Sequence, residues 1–175
     1  MKLYDTFEHW HEKGSIWLYS DPHFSDEEMK YLRKNYIGDD EQVKRINSVL
    51  GKNETIVFLG DIGDVLPIRK VKGYKVLITG NHDRGDTYYK DYFDEIYNGP
   101  LFISNKILLS HEPIDFPYAL NIHGHDHSNW FPKDGRHINV CAEHIDYTPI
   151  NLNKIVKSGA LANITDIHRA TIDKR

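Results

Sequence analysis

The chain has 175 residues, 22 Lys and Arg against 26 Asp and Glu for a net charge of −4, one cysteine and eleven histidines. That length suits a single core, so one domain is expected over residues 1–175, and 39% apolar with 12% aromatic residues is the composition of a folded chain rather than a disordered one. The acidic balance argues against a protein that coats nucleic acid or an anionic membrane, no apolar run nears the ~20 residues of a bilayer-spanning helix, and a lone cysteine makes neither an internal disulfide nor a Cys-based zinc site.

In chain order, Ile16-Trp17-Leu18-Tyr19 is the first short apolar run, rich in β-branched and aromatic residues and too short for a buried helix, so it reads as a buried strand. Ser25-Asp26-Glu27-Glu28 has the form of a capping box and predicts a helix with Met29, Leu32 and Tyr36 on one face. A second helix is expected from Asp39 or Asp40 to Leu50, with Val43, Ile46, Val49 and Leu50 inward and Gly51 as its stop. Ile56 to Leu59 and Val76 to Ile78 repeat the strand signal. Between them Val65 to Val71 is a weaker helical segment, limited by Pro67. Leu101-Phe102-Ile103 and Lys106 to Ser110 predict a hairpin turning at Ser104-Asn105. Ala119 to Ile122, His137 to Cys141 and Tyr147 to Ile150 predict further strands, and Leu152 to Ser158 a short helix. Gly159 to Arg175 carries little pattern. Strand–helix–strand units followed by hairpins point to an α/β protein with mixed sheets.

Each of the first three strands ends in metal-capable residues. Ser20-Asp21-Pro22-His23 follows the first, Gly60-Asp61-Ile62-Gly63-Asp64 the second and Gly80-Asn81-His82-Asp83 the third. Parallel strands would bring these segments together beyond their carboxyl ends, where open α/β sheets bind ligands. Ser110-His111-Glu112 and His123-Gly124-His125-Asp126-His127 are similar. Asp21 and His23 are two apart, as are His125 and His127, so an extended backbone points each pair the same way. Facing each other, and with Asp61, the two pairs would surround one divalent ion, while Asn81 and His111 would serve a second. Carboxylate, imidazole and amide without thiolate suit Mn, Fe, Zn, Ni or Co, with Mn favoured, and do not suit an all-oxygen calcium cage.

Taken together, Asp21-Pro22-His23, Gly60-Asp61-Ile62-Gly63-Asp64, Gly80-Asn81-His82-Asp83, His111 and Gly124-His125-Asp126-His127 resemble, in order, the five blocks of the calcineurin-like metallophosphoesterases. The resemblance spans Asp21 to His127. It implies a four-layer α-β-β-α sandwich of two mixed β-sheets flanked by helices, with a dinuclear metal site at the strand ends, of the kind found in compact bacterial and phage members. By that resemblance Asp21, His23 and His127 would hold one ion, Asn81, His111 and His125 the other, and Asp61 would bridge both. Two ions ~3.5–4 Å apart clamp a phosphoryl oxygen and lower the pKa of a bridging water until it supplies the attacking hydroxide. His82 would be the general acid at the leaving oxygen, and Asp64 would orient it.

The expected function is therefore metal-dependent hydrolysis of a small phosphoester. Val65 stands where serine/threonine phosphoprotein phosphatases of this family carry a phosphate-gripping arginine, and Asp83 where they carry Glu. Both departures lean toward a phosphodiester or nucleotide-like substrate over a monoester. Arg84 is the foremost candidate to reach the substrate, beside Asn81, with Arg69 and Arg136 behind it. A nuclease is disfavoured by the missing basic stripe, and a non-catalytic scaffold by the complete ligand set. The first residues lack the layout of a signal peptide, so the cytoplasm is the expected compartment. His9-Trp10-His11 reads as a solvated surface segment, His123 as a strand-end residue, and His137, His144 and His168 as surface or satisfied polar residues. Cys141 reads as a buried inert thiol, and Trp17, Tyr19 and Phe24 as core, with the pocket rim as the alternative for Phe24 beside His23.

Overall fold

A computed structural model describes residues 1–128 and 134–165. In chain order the elements are α1 (Glu8–Glu12), β1 (Ile16–Tyr19), α2 (Met29–Leu32), α3 (Asp39–Val49), β2 (Thr55–Phe58), β3 (Tyr74–Ile78), α4 (Asp86–Tyr89), β4 (Glu95–Tyr97), β5 (Leu101–Ser104), β6 (Ile107–Leu109), β7 (Leu120–His123), β8 (His137–Asn139), β9 (Ile150–Asn151) and α5 (Leu152–Lys157). One sheet has the order β4-β3-β2-β1-β9, the first four parallel and β9 antiparallel to β1. The other has the order β5-β6-β7-β8, antiparallel at β5–β6 and parallel thereafter. The expected class holds: an α/β protein of two mixed sheets flanked by helices.

Side-chain alternation along the strands sorts the core into two bodies. Leu18, Val57, Leu59, Val76 and Ile78 meet Ile103, Ile107, Leu109, Leu120 and Ile122 between the sheets. Tyr19, Ile56, Phe58 and Leu77 face the other way, onto Val43, Ile46 and Leu50 of α3 and its end. Inside this second body Gln42 is fully buried, accepting from the Tyr19 hydroxyl (2.9 Å) and donating to the Pro22 carbonyl (3.1 Å), which ties α3 to the chain leaving β1. At their carboxyl ends the sheets are stitched together, because the Ser20 N–H donates to the Val140 carbonyl (3.1 Å) and the Ala142 N–H to the Ser20 carbonyl (2.9 Å). Among the described residues no helix is long and apolar enough to cross a membrane.

Several local expectations fail for identifiable reasons. The Ser25 capping box does not form. Ser25 lies in the left-handed region (φ 61°) and gives its N–H and hydroxyl to Asp39, so α2 is a single turn with Leu32 70% exposed. Val65 to Val71 shortens to a 3-10 turn over Pro67–Lys70. The hairpin turns at Asn105-Lys106, one residue later than expected, with an irregular register between Phe102 and Ser104. Beyond it the strands are joined in parallel rather than as further hairpins, and the Tyr147 to Ile150 strand reduces to β9. His9-Trp10-His11 is not a solvated segment. Trp10 is fully buried, and its indole joins His9, Tyr74 and Tyr97 on the Glu95 carboxylate, fastening α1 to β4. His168 and most of the patternless tail lie outside the described residues.

Leu18 sits fully buried between the two sheets, so Leu18→Ala removes packing from both. Urea unfolding should show a loss of about 2–5 kcal/mol at unchanged denaturant slope.

Candidate metal centre

The strand ends gather in one place because β1, β2 and β3 are parallel neighbours in one sheet while β6 and β7 are parallel neighbours in the other. Asp21, Asp61 and Asn81 leave the first sheet, and His111 and His125 leave the second. Glycine is required where these turns crowd. A Cβ on Gly124 would lie 1.9 Å from Ser20 Oγ and 2.2 Å from Asp21 Oδ2. Gly60 has φ +88°, and its Cβ would lie 2.6 Å from His111 Nδ1. Asp21 (φ 57°), His23 (45°), Asp61 (53°) and His125 (65°) all occupy the left-handed region, a strain of order 1 kcal/mol or more each that proteins concentrate at functional sites.

Asp61 is central. Its Oδ2 lies 3.5 Å from His23 Nε2 and its Oδ1 3.5 Å from His111 Nε2, so one carboxylate faces two separate sets of donors. In the first set His127 Nε2 is 3.5 Å and His23 Nε2 3.9 Å from Asp21 Oδ1. In the second, Asn81 Oδ1 lies 2.8 Å from His111 Nε2 and 3.0 Å from His125 Nδ1, and the two ring nitrogens are 3.2 Å apart. Donors each ~2.1 Å from a common ion stand about 3–3.5 Å apart, close to the spacings found here.

The donor chemistry fits divalent ions. Asp21 Oδ2 already accepts the His125 N–H (2.9 Å) and the Cys141 thiol (3.2 Å), whereas Asp21 Oδ1 and His23 Nε2 are buried without a hydrogen-bond partner. Asp21 is fully buried and Asp61 2% exposed. Buried charge and orphaned acceptors are costly unless a cation meets them. The His111 Nδ1–H donates to the Leu59 carbonyl (2.8 Å), which leaves the Nε2 lone pair aimed at Asn81 Oδ1. Burial and the nearby Arg33 hold the His23 pKa below the usual histidine value, keeping that imidazole neutral and able to ligate. At His127 burial pulls the pKa down, but the Glu143 hydrogen bond and the Asp21 charge outweigh it, and the net shift is upward.

Of the expected second group, His82 lies exposed beside the donors. Its ring centroid is 6.0 Å from that of His23, and its backbone N–H donates to Asp61 Oδ1 (3.0 Å). Asp64 does not orient it. The Asp64 carboxylate accepts instead from the Leu66 N–H (2.8 Å), because the two-residue spacing closes a local turn. His23, His82 and His127 border a cleft of about 500 Å³ whose wall includes Met29, Leu32, Arg84 and Tyr89, with Asp26 and Glu28 on its rim. The Arg84 guanidinium lies 4.3 Å from the Tyr88 ring centre, while Arg69 is bonded to Tyr92 and Arg136 is paired with Asp115 and Asp134.

Three residues to which motif reading gave no role at the site bond to its turns and donors. Asp83 accepts the N–H groups of Asp61 (2.9 Å), Ile62 (2.8 Å) and Gly80 (2.8 Å) and the Tyr89 hydroxyl (2.9 Å), locking the Asp61 turn to the Asn81 turn. Arg33 and Glu143 pack behind Asp21 and His127. The position of Asp83 at the end of its block could have signalled its role, but nothing local marks the other two.

With this geometry in view, the chain is 34% identical to the uncharacterized protein MJ1445 of Methanocaldococcus jannaschii, over 81% of this chain and 89% of that one. It belongs to the family of that protein. The crystal structure of AQ665 from Aquifex aeolicus, a protein of unknown function, is 31% identical and superposes with a TM-score of 0.71 over 82% of this chain and 98% of its own. The nuclease MPE of Pseudomonas putida is a slighter likeness, 21% identical with a TM-score of 0.46 over 64% of this chain and 61% of its own, and it carries no assignment. No established family profile matches. Relatives across most of the chain thus share the fold without naming an activity, and the residues themselves must carry the functional reading.

Asp83→Ala would strip four donors of their acceptor at once. The expected cost is about 2–3 kcal/mol in chemical denaturation, together with weaker uptake of divalent ions in a calorimetric titration.

Proposed function

We propose that the chain is a metal-dependent phosphoesterase of the calcineurin-like metallophosphoesterase type, acting on small phosphodiesters or nucleotide-like esters. The observation that carries this reading is the Asp61 carboxylate, whose two oxygens face two separate sets of metal-capable atoms. Asp21, His23 and His127 would hold one divalent ion, Asn81, His111 and His125 a second, and Asp61 would touch both, with Mn favoured and Fe, Zn, Ni or Co compatible with the same donors. Such ions, when bound, supply Lewis-acid polarisation of a phosphoryl oxygen and lower the pKa of water.

The chain's own groups do the rest. The exposure of His82 on the cleft wall beside His23 supports its role as the acid that protonates the leaving oxygen, and Asp64, bonded to the Leu66 N–H, takes no part in that reading. Arg84 offers the cleft a cation, steadied over Tyr88, to counter phosphate charge. Asp26 and Glu28 on the rim repel a second negative charge, which favours a diester monoanion over a monoester dianion and disfavours a long polyanion.

The purified protein with added manganese should hydrolyse bis(4-nitrophenyl) phosphate faster than 4-nitrophenyl phosphate. Asp61→Asn should lower that rate by at least about 10²-fold. Bound metal measured by mass spectrometry should fall below two ions per chain in the same variant, and a wild-type chain that binds no divalent ion would overturn the reading. His82→Ala should keep its ions yet lose about 10²-fold or more on esters with poor leaving groups, and unchanged turnover there would remove His82 from the mechanism.

A further inference from the structure

Arg33 is the first residue after α2, and its extended backbone (φ −114°, ψ 115°) turns the side chain inward, where it is 5% exposed. Its Nη1 donates to the Asp21 carbonyl (3.0 Å) and lies 3.4 Å from Glu143 Oε2. Its Nη2 packs against the His127 ring, 3.2 Å from Nδ1 and 3.4 Å from Nε2. Glu143, in the 3-10 turn Ala142–Ile145, completes the network by accepting the His127 Nδ1–H at 2.6 Å. One buried guanidinium therefore joins the segment after β1, the segment after β7 and the turn after β8.

We propose that Arg33 is a positioning residue which, acting with Glu143, holds the Asp21–His127 half of the donor set in ligating geometry, and that the Asn81–His111–His125 half does not depend on it. The inference rests on the two-ion reading above. Neither residue consumes a ligand atom. Arg33 engages the Asp21 carbonyl and not its carboxylate, and Glu143 fixes the Nδ1–H tautomer of His127, so that Nε2 is left facing Asp21 Oδ1 at 3.5 Å. The two charges offset each other, so the support tightens geometry without changing the net charge of that half. The other half has a different anchor, the bond from His111 Nδ1–H to the Leu59 carbonyl. A lysine could not replace the guanidinium, since a compact ammonium lacks the planar fork that spans three partners.

Two measurements test this. In the metal-free protein at about pH 8.5, nitrogen–proton correlation spectra should show His127 as the Nδ1–H tautomer, and Arg33→Met and Glu143→Gln should both shift it toward a mixture. In calorimetric titration with Mn and absorption titration with Co, wild type should take up two ions. Each variant should lose about 10- to 100-fold in affinity for one ion and stay within about threefold for the other. Arg33→Lys should not restore the loss, and Arg33→Met combined with Glu143→Gln should cost less than the sum of the two. Should Arg33→Met fail to fold, Glu143→Gln carries the same test. Folded variants with the wild-type tautomer and two wild-type affinities would overturn the proposal while leaving the metal reading intact. A wild-type chain that binds no ion, but whose variants still lose the tautomer, would overturn the metal reading and leave Arg33 as the residue that positions His127.

Discussion

Atoms able to ligate a metal converge at the centre of this molecule, and the surrounding structure serves to keep them there. Two carboxylates, Asp21 and Asp61, are almost wholly withdrawn from water, with Asp21 Oδ1 and His23 Nε2 left without partners and Asn81 Oδ1, His111 Nε2 and His125 Nδ1 within 3.2 Å of one another. Unrelieved, such an arrangement opposes folding, because buried charge costs several kcal/mol per ion even after relaxation. It persists only where packing over-determines it or where cations complete it.

The packing is visible. Four of the converging residues, Asp21, His23, Asp61 and His125, carry left-handed backbone conformations that glycine alone adopts freely. Each strained turn is offset by bonds from a neighbouring one: the His23 N–H to the Asp61 carbonyl (3.1 Å), the Asp61 and Ile62 N–H groups to Asp83, and the His125 N–H to Asp21. Ser20 ties the two sheets at the same end, and its hydroxyl donates to the Leu59 carbonyl (2.6 Å). Strain, buried charge and cross-sheet bonds are thus concentrated at the carboxyl end of the strands, while the apolar bodies between the sheets and beneath α3 supply the stability that permits it.

What could be read in advance follows the range of the forces involved. The strands were legible because short β-branched and aromatic runs bounded by Gly, Asp and Asn have few other solutions, and the grouping of Asp21, Asp61, Asn81, His111 and His125 follows once those strands are parallel. Arg33 was not legible. It falls off the expected Met29-Leu32-Tyr36 face, between the charged residues Lys30 and Lys34, and only the early end of α2 turns it inward. Ser25 misled because a distant acceptor, Asp39, competes with the local cap, and Asp64 misled because its own turn satisfies it first. Cys141 was expected to be buried and is, yet its thiol donates to Asp21, a contact spanning 120 residues that no pattern announces.

Exposure is uneven across the centre, and on the proposed reading that bears on substrate. Asp21, His23, Asp61 and His111 are buried, whereas His82, Arg84 and His127 are exposed along the cleft, so a ligand in that cleft would meet His82, Arg84 and His127. Asp26 and Glu28 share that approach with a single arginine. At an effective dielectric of ~40 and a separation of ~8 Å, each carboxylate opposes one extra negative charge by about 1 kcal/mol. If the proposed reading holds, two together would give roughly a 30-fold preference for a monoanion over a dianion, reduced by salt. On that reading an exposed rim would shape selectivity through charge without touching the ester. Met29 and Leu32 line the same cleft, so on that reading a leaving group seated there would not need to be polar.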